Sequence, residues 1–456
     1  MDIVVLNGSP KSKYSVTLHY AKYLEKKFSQ HDFITHHVGK KIKSIMNKEG
    51  SFESILDDIE KADGLIWCTP VYTCAVPYQL MRFIDRVFDE GAEERFEGKH
   101  STTITTSAHF YDHTAHNYLK GISEELGMNY LDGFSAEMYD LLEEEKRENL
   151  LKLAERFFHH IKNDVETKRE FMPIDYEMES YEPQGVEEVQ SSGDYKILVV
   201  SDATEEDQNL KNMIDVFKKS CKFDVEVQNL HDIEIKGGCL GCVKCAQSGE
   251  CVYDDDHEEF YNNKFKPADG IVFATTLKNR FASSRWKLFY DRGFYNGHRP
   301  IHEGKQLGYI VSGPLKQDAN MKQILKGEAE VGMINLMGFV TDEPDDSERI
   351  TEQIQQLSDD IAWGLENDFQ RPFTFLREGG HKVFRDLVYQ MKFLFTQDHK
   401  YYKKHGLYDF PQNQYKQRVQ NFFLRILFAM PGMKEKVKDK TLEYMVKPLQ
   451  EAIEEN

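Results

Sequence analysis

Short apolar runs alternate with polar stretches of helical period along the first 350 residues of the chain. Ile3 to Leu6 is one such run, and Asn7-Gly8-Ser9-Pro10 breaks it before a helix predicted to begin near Ser15. Tyr195 to Val200 is another, leading through polar residues into a helical segment around Leu210 to Lys219. Each reads as the first strand and helix of a parallel sheet. Leu65 to Cys68 and Thr102 to Thr106 read as later strands.

The pattern repeats at residue level. Ala62-Asp63-Gly64-Leu65-Ile66-Trp67 aligns without a gap on Ala268-Asp269-Gly270-Ile271-Val272-Phe273, and the register carries Phe83, Asp85, Arg86 and Phe88 onto Phe289, Asp291, Arg292 and Phe294. The offset is 206 residues here and 194 at the first strands, and a cysteine-bearing segment accounts for the difference. A tandem duplication follows as the expectation. The expected organisation is α/β: one doubly wound parallel-sheet domain over residues 1–170, an acidic linker over 171–194 holding Pro173 and Pro183, a second such domain over 195–350, and a helical C-terminal extension over 351–456.

Charge narrows the function. A net charge of −19 argues against a nucleic-acid partner, because phosphate neutralisation needs a basic surface. The acidic N-terminus runs directly into a strand, so a cytoplasmic location is expected. From Arg371 onward there are 16 Lys and Arg against 10 Asp and Glu, a net of +6, leaving −25 for the first 370 residues. The apolar run Phe422 to Met430, followed by Lys434, Lys436, Lys438 and Lys440, could lie on an anionic membrane. The preferred reading is that it buries against the acidic body.

Two segments carry candidate chemistry. Asn7-Gly8-Ser9-Pro10, then Lys11, then Ser15-Val16-Thr17 at a helix start, supply a tight turn, hydroxyls, one cation and unpaired backbone N–H groups, the parts of a phosphate cradle. The order is neither GxGxxG nor a Walker loop, which favours a monophosphate. The loop Pro70-Val71-Tyr72-Thr73 should lie beside it, beyond the carboxyl ends of the strands. The other segment is Cys239-x2-Cys242-x2-Cys245-x5-Cys251. Thiolates this close can surround one compact inorganic core, unlike the distant pairs of zinc ribbons, although zinc or free thiols remain open.

GSPKSKYSVT and ADGLIWCTPVYTCAVPYQLMRFIDR resemble the phosphate loop and second flavin loop of the flavodoxin-like NAD(P)H-dependent FMN reductases, including iron-sulfur flavoproteins, and the cysteine spacing is similar to the compact motif of the latter. The resemblance implies two flavodoxin-like domains forming an internal pseudo-dimer. It implies FMN phosphate held by Ser9, Lys11, Ser15, Val16 and Thr17. Pro70 to Thr73 would border the isoalloxazine, with Tyr72 against or beside its face, and Ser107 would open a third cofactor loop. In the second copy the equivalent first loop holds Asp202, Glu205, Glu206 and Asp207, which would repel a phosphate, so one FMN per chain is expected.

The implied activity is an oxidoreductase passing electrons from NAD(P)H or a reduced protein donor through FMN and a [4Fe-4S] cluster on Cys239, Cys242, Cys245 and Cys251 to an acceptor the sequence does not identify. Catalysis would be flavin-borne, with no side-chain acid, base or nucleophile. The alternatives are a non-enzymatic electron carrier or redox sensor, and an FMN reductase whose second domain is structural or binds zinc.

Overall fold

The computed structural model of the chain describes residues 1–344, 346–431 and 441–454. The first sheet has five parallel strands, β1 (Asp2–Asn7), β2 (Asp32–His36), β3 (Gly64–Pro70), β4 (His100–Thr106) and β5 (Asn129–Ala136), in the order β2-β1-β3-β4-β5. Helices cover both faces, which is why β1 and β3 read as unbroken apolar runs. The second sheet contains β6 (Lys196–Ser201), β7 (Asp224–Asn229), β8 (Gly270–Lys278), β9 (Phe281–Ala282), β10 (Gln306–Ser312) and β11 (Asn335–Thr341). Its parallel strands follow β7-β6-β8-β10-β11, the same order as the first sheet, and β9 folds back antiparallel on the end of β8. Leu6 pairs with Trp67 in one sheet and Val200 with Phe273 in the other, so the registers match as well. The chain is two flavodoxin-like doubly wound domains in tandem, followed by C-terminal helices.

The two domains share a hydrophobic core. The Tyr78–Asp89 helix packs on Ser284–Arg292, and Asp112–Glu125 lies beside Ala319–Val331. Leu80, Phe83 and Tyr118 continue into Trp286, Phe289 and Ile324 within one buried cluster. The outer face of each sheet has its own cluster. Residues 165–195 between the domains hold no helix or strand, yet Tyr181 is buried and its hydroxyl meets Thr351 Oγ1 at 2.8 Å.

One expected boundary moves. The Ser347–Glu366 helix packs on β10 and β11, with Ile354, Leu357 and Ile361 buried in the second domain's core. Residue 351, where the extension was expected to begin, falls inside that helix. A doubly wound sheet needs its outer face covered, and this helix covers it.

By contact, the chain divides into units Met1–Lys400 and Tyr401–Asn456. Residues 371–400 belong to the first unit. Within the second unit, Phe422 is 60% and Phe423 64% exposed on the Tyr415–Ala429 helix. Among the described residues no helix is long and apolar enough to cross a membrane. Lys434, Lys436, Lys438 and Lys440 lie outside the described residues.

Candidate active site

The cradle begins where β1 ends. Gly8 donates its N–H to Cys68 O at 2.9 Å, and a Cβ at Gly8 would stand 2.8 Å from Thr69 Oγ1 and 2.7 Å from Leu80 Cδ2. Only glycine fits this approach. Ser9 Oγ accepts the Lys11 N–H at 3.3 Å, and Ser15 Oγ caps the Val16–Lys27 helix by accepting the Leu18 N–H at 3.2 Å. Thr17 Oγ1 lies 2.6 Å from Thr106 Oγ1 at the end of β4. Ser9, Ser15 and Thr17 are thus gathered and buried, Val16 heads the helix, and Lys11 is exposed. The Ser15 hydroxyl accepts one bond and keeps its hydrogen for an anion.

Pro70 closes β3, and the chain turns back on itself, Tyr72 and Ala75 exchanging backbone hydrogen bonds at 2.8 and 3.0 Å. Thr73 and Cys74 at the tip adopt φ of +40° and +61°, unusual for side-chain-bearing residues and typical of a tight hairpin. The second domain holds the tip in place. Lys287 Nζ donates to Tyr72 O at 2.8 Å and to Thr73 Oγ1 at 2.6 Å, and Thr73 Oγ1 lies 2.8 Å from Asp291 Oδ1. Lys287 and Asp291 form an ion pair with no solvent exposure. Lys287 escaped the sequence reading. The signal was the repeat, which sets it on the apolar Met81.

The third loop follows β4. Ser107 donates its N–H to Ala136 O at 3.0 Å and its Oγ accepts the His109 N–H at 2.9 Å. His109 pairs with Asp112 at 2.8 Å, while His113 turns to Gln323, so the two histidines do not converge.

Both loops open on one mostly apolar cavity of about 320 Å³. Val71, Thr73 and Ser107 line it from the first domain, Phe294 and Glu328 from the second, and Phe384 from the Phe375–Gln390 helix. Phe384 stacks on Phe110 with ring centroids 3.9 Å apart. Tyr72, expected against or beside the isoalloxazine face, does not line this cavity. Its ring meets Phe294 edge-on at 5.3 Å and its hydroxyl turns toward the cysteine loop. Burial, then the charges of Cys239, Asp291 and Cys242, push its phenol well above the ordinary range.

The cysteine loop of the second domain therefore sits on the Lys11 and Tyr72 loops of the first domain. A Cβ on Gly241, at φ +59°, would stand 2.2 Å from Tyr72 Oη and 2.8 Å from Lys11 Cε, and Gln79 Nε2 donates to Cys239 O at 3.3 Å. Arg292 fastens the loop at both ends, donating to Gly237 O at 3.2 Å and to both carboxylate oxygens of Asp255 at 2.7 and 2.9 Å. The Asp255 carboxylate is buried in that pair, because the loop folds back over the Ser284–Arg292 helix.

The four thiols suit a soft cation in type. Burial, then the charges of Asp291, Cys245 and Cys242, push Cys239 up to about 12 against the Gly241 N–H it accepts, and burial with Cys251 and Cys242 pushes Cys245 up to about 11. Thiolates that repel one another in this way are relieved by a bound cation. Among the described residues, however, no group of three or more His, Cys, Asp or Glu side chains stands at metal-holding distances.

A larger cavity, about 460 Å³, lies at the carboxyl edge of the second sheet, bordered by Asp202, Asp207 and Thr276. Asp202 occupies the position of Gly8. Its Oδ2 accepts from Thr275 Oγ1 at 3.1 Å and from Ser283 Oγ, and burial pushes it up to about 6. A carboxylate thus stands here where the first domain has the bare backbone of Gly8.

The sequence model of the NADPH-dependent FMN reductase family matches residues 1–139 and again 195–346. An iron-sulfur flavoprotein of Archaeoglobus fulgidus is 26% identical over 208 residues, 43% of this chain and 93% of that protein. An iron-sulfur flavoprotein of Methanocaldococcus jannaschii is 32% identical over 97 residues, 21% of this chain and 47% of that protein. Among solved structures, the flavoenzyme NAD(P)H:(acceptor) oxidoreductase FerB of Paracoccus denitrificans matches at 20% identity and a TM-score of 0.31, over 36% of this chain and 98% of that one.

Proposed function

Because the chain belongs to the NADPH-dependent FMN reductase family, and is accordingly a flavin-dependent oxidoreductase with FMN as cofactor, we propose that it holds one FMN, in its first domain, and delivers electrons to a [4Fe-4S] cluster on Cys239, Cys242, Cys245 and Cys251. In this reading the tandem domains descend from one duplicated unit whose second flavin site has degenerated, Asp202 replacing the cradle glycine. FMN supplies hydride acceptance and release of electrons one at a time. Ser9, Ser15 and Thr17 donate hydroxyl hydrogens to its phosphate, Val16 adds a helix N-terminal N–H, and Lys11 brings charge. Val71, Thr73 and Ser107 border the ring and exclude water from it. NAD(P)H or a reduced protein is the donor.

The observation that carries the reading is the seating of Gly241 on Tyr72 and Lys11, which sets the thiols beside the flavin loops. Anaerobic isolation followed by iron, sulfide, zinc and flavin analysis tests it. Iron and sulfide in near-equal amounts with one FMN per chain support it, and two FMN per chain overturn the single site. A second reading, an FMN reductase with a structural or zinc-binding second domain, is favoured by the absence of gathered thiols among the described residues. Zinc alone, or no metal, decides for it.

A further inference from the structure

The two domains differ at one pair of equivalent positions in a way that bears on the flavin cavity. The 206-residue offset sets Ile122 of the Asp112–Glu125 helix against Glu328 of the Ala319–Val331 helix. Ile122 is buried in the shared core. Glu328 lies in the wall of the 320 Å³ cavity, which Val71, Thr73 and Ser107 also line. Neither of its carboxyl oxygens has solvent contact or a well-formed hydrogen bond. An ionised carboxylate left so would cost several kcal/mol, on the order of the transfer penalty for an unpaired polar group or more. The site therefore suits a neutral acid, or an acid whose partner arrives with a ligand.

The groups around Glu328 are otherwise occupied or neutral. On the Ser284–Arg292 helix stand Lys287, Tyr290 and Asp291. Lys287 is committed to Asp291 and to the Tyr72 to Thr73 turn. Tyr309 of β10, and Cys74 and Tyr111 of the first domain, are all pushed up, burial being the first cause. His298, on the same cavity, pairs with Asp398 at 3.0 Å, and the Phe375–Gln390 helix adds only Phe384 and Leu387 to the lining. Burial pushes Glu328 up to about 8 against the opposing Tyr290 hydroxyl and Lys287 ammonium. Its titration thus falls near neutrality, which is where a proton-transfer group is most effective.

We propose that Glu328 is the proton store of the flavin cavity, taking up the proton released there when electrons leave one at a time and passing it on to water. The proposal rests on the FMN site proposed above. A hydride from a reduced nicotinamide brings two electrons and one hydrogen nucleus into the cavity. One-electron acceptors remove electrons only, so for every two that leave, one proton must leave as well. The Glu328 carboxylate forms an O–H bond to that proton as the cofactor's N–H bond breaks, and the two electrons go to the acceptors in turn. Glu328, whose carboxyl oxygens meet no solvent at rest, then returns to the carboxylate by giving the proton to water that enters the cavity it lines. Asp85, the interface carboxylate of the first domain, cannot serve, because both its oxygens are already hydrogen-bonded across the interface.

The test compares the full-length protein with Glu328→Gln, which keeps size and polarity and removes the titration. Two readouts are used with FMN bound: reduced-minus-oxidised infrared difference spectra, and the rate at which ferricyanide, a one-electron acceptor, reoxidises the prereduced protein across neutral to alkaline pH. In the wild type, a carboxylic-acid C=O band should change with redox state, and the rate should rise with pH through an apparent pKa near 8. In Glu328→Gln, the band should vanish and the rate should become flat with pH and at least about tenfold slower, the lower range for loss of a proton-transfer group. FMN binding by fluorescence quenching separates the two levels of failure. A wild type that takes up no FMN overturns the FMN site and this proposal together. FMN bound by both proteins, with band and pH profile unchanged in Glu328→Gln, overturns the role of Glu328 alone.

Discussion

Asp85 and Asp291 each reach across the domain interface and cap a helix of the opposite domain. Asp85 Oδ2 accepts the Ser284 N–H at 3.2 Å and Oδ1 the Asn279 amide at 3.1 Å. Asp291 Oδ2 accepts the Tyr78 N–H at 2.6 Å and Oδ1 the Thr73 hydroxyl at 2.8 Å. Every member of one set lies 206 residues from its counterpart in the other, and Thr73 and Asn279 share a positive φ. The reciprocity is that of an isologous dimer contact written into one chain. It is broken at one point, where Lys287 stands in place of Met81 and pairs with Asp291.

That asymmetry predicts unequal costs. Asp85→Asn should lower unfolding stability by about 1 kcal/mol, the scale of a lost helix cap. Asp291→Asn also strands the buried Lys287 ammonium, and should cost about 3–5 kcal/mol. Urea midpoints of the single variants and of Asp291→Asn combined with Lys287→Met decide the matter. The double variant should regain most of the loss, and no rescue would show that Lys287 is not the source.

In the cradle, Thr17 and Ser15 should separate binding from folding. Thr17→Val removes a hydroxyl bonded to Thr106 and should weaken FMN binding by about ten- to a hundredfold, the worth of one charge-assisted hydrogen bond, with little change in melting temperature. Ser15→Ala also removes the cap of the Val16–Lys27 helix and should lose about 1 kcal/mol of stability besides. Fluorescence titration beside thermal melts reads both, and unchanged FMN affinity in Thr17→Val would place the phosphate elsewhere.

Gly241→Ala should push the cysteine loop off the first domain, since its methyl would meet Tyr72 Oη at a φ that favours glycine. FMN affinity should stay within about threefold, because Ser9, Ser15 and Thr17 are untouched and only the exposed Lys11 side chain must shift, while transfer to one-electron acceptors slows. Stopped-flow traces matching wild type would mean that the contact plays no part in electron delivery.

Stability should fall as pH rises. Glu328 titrates near 8 in the folded protein and at roughly 4.3 in an unfolded chain. Between those values the native state holds a proton that the unfolded state has lost, so folding is penalised progressively from the lower value to the upper one. Asp202, pushed up by burial to about 6, acts in the same direction over the lower part of the window. The loss attached to Glu328 is on the order of a few kcal/mol at most. Melting temperatures of wild type should decline through neutral pH, and those of Glu328→Gln should decline less; parallel curves would remove Glu328 from the account.

The architecture was legible in the chain because its signals are local. A parallel sheet buried on both faces needs unbroken apolar strands, and Ile3 to Leu6, Leu65 to Cys68 and Ile197 to Val200 supply them. A cradle at a strand-to-helix turn needs a glycine, small hydroxyls and a helix start within a dozen residues, so Gly8 to Thr17 announces itself. The 206-residue repeat even pairs Asp85 with Asp291 in advance. What tertiary structure alone decided is which surfaces face each other, since contacts between residues hundreds of positions apart leave no period in sequence. It set Gly241 on Tyr72 and turned that ring away from the cavity. It buried Asp255 beneath Arg292, and it brought Phe384 of the C-terminal helix and Glu328 of the second domain to the wall of the cavity that Val71, Thr73 and Ser107 line. A carboxylate on a helix reads as a solvated residue by default. Only the apolar cavity closed around Glu328 by two domains and a C-terminal helix, where water no longer solvates its charge, makes it a titrating group at neutral pH.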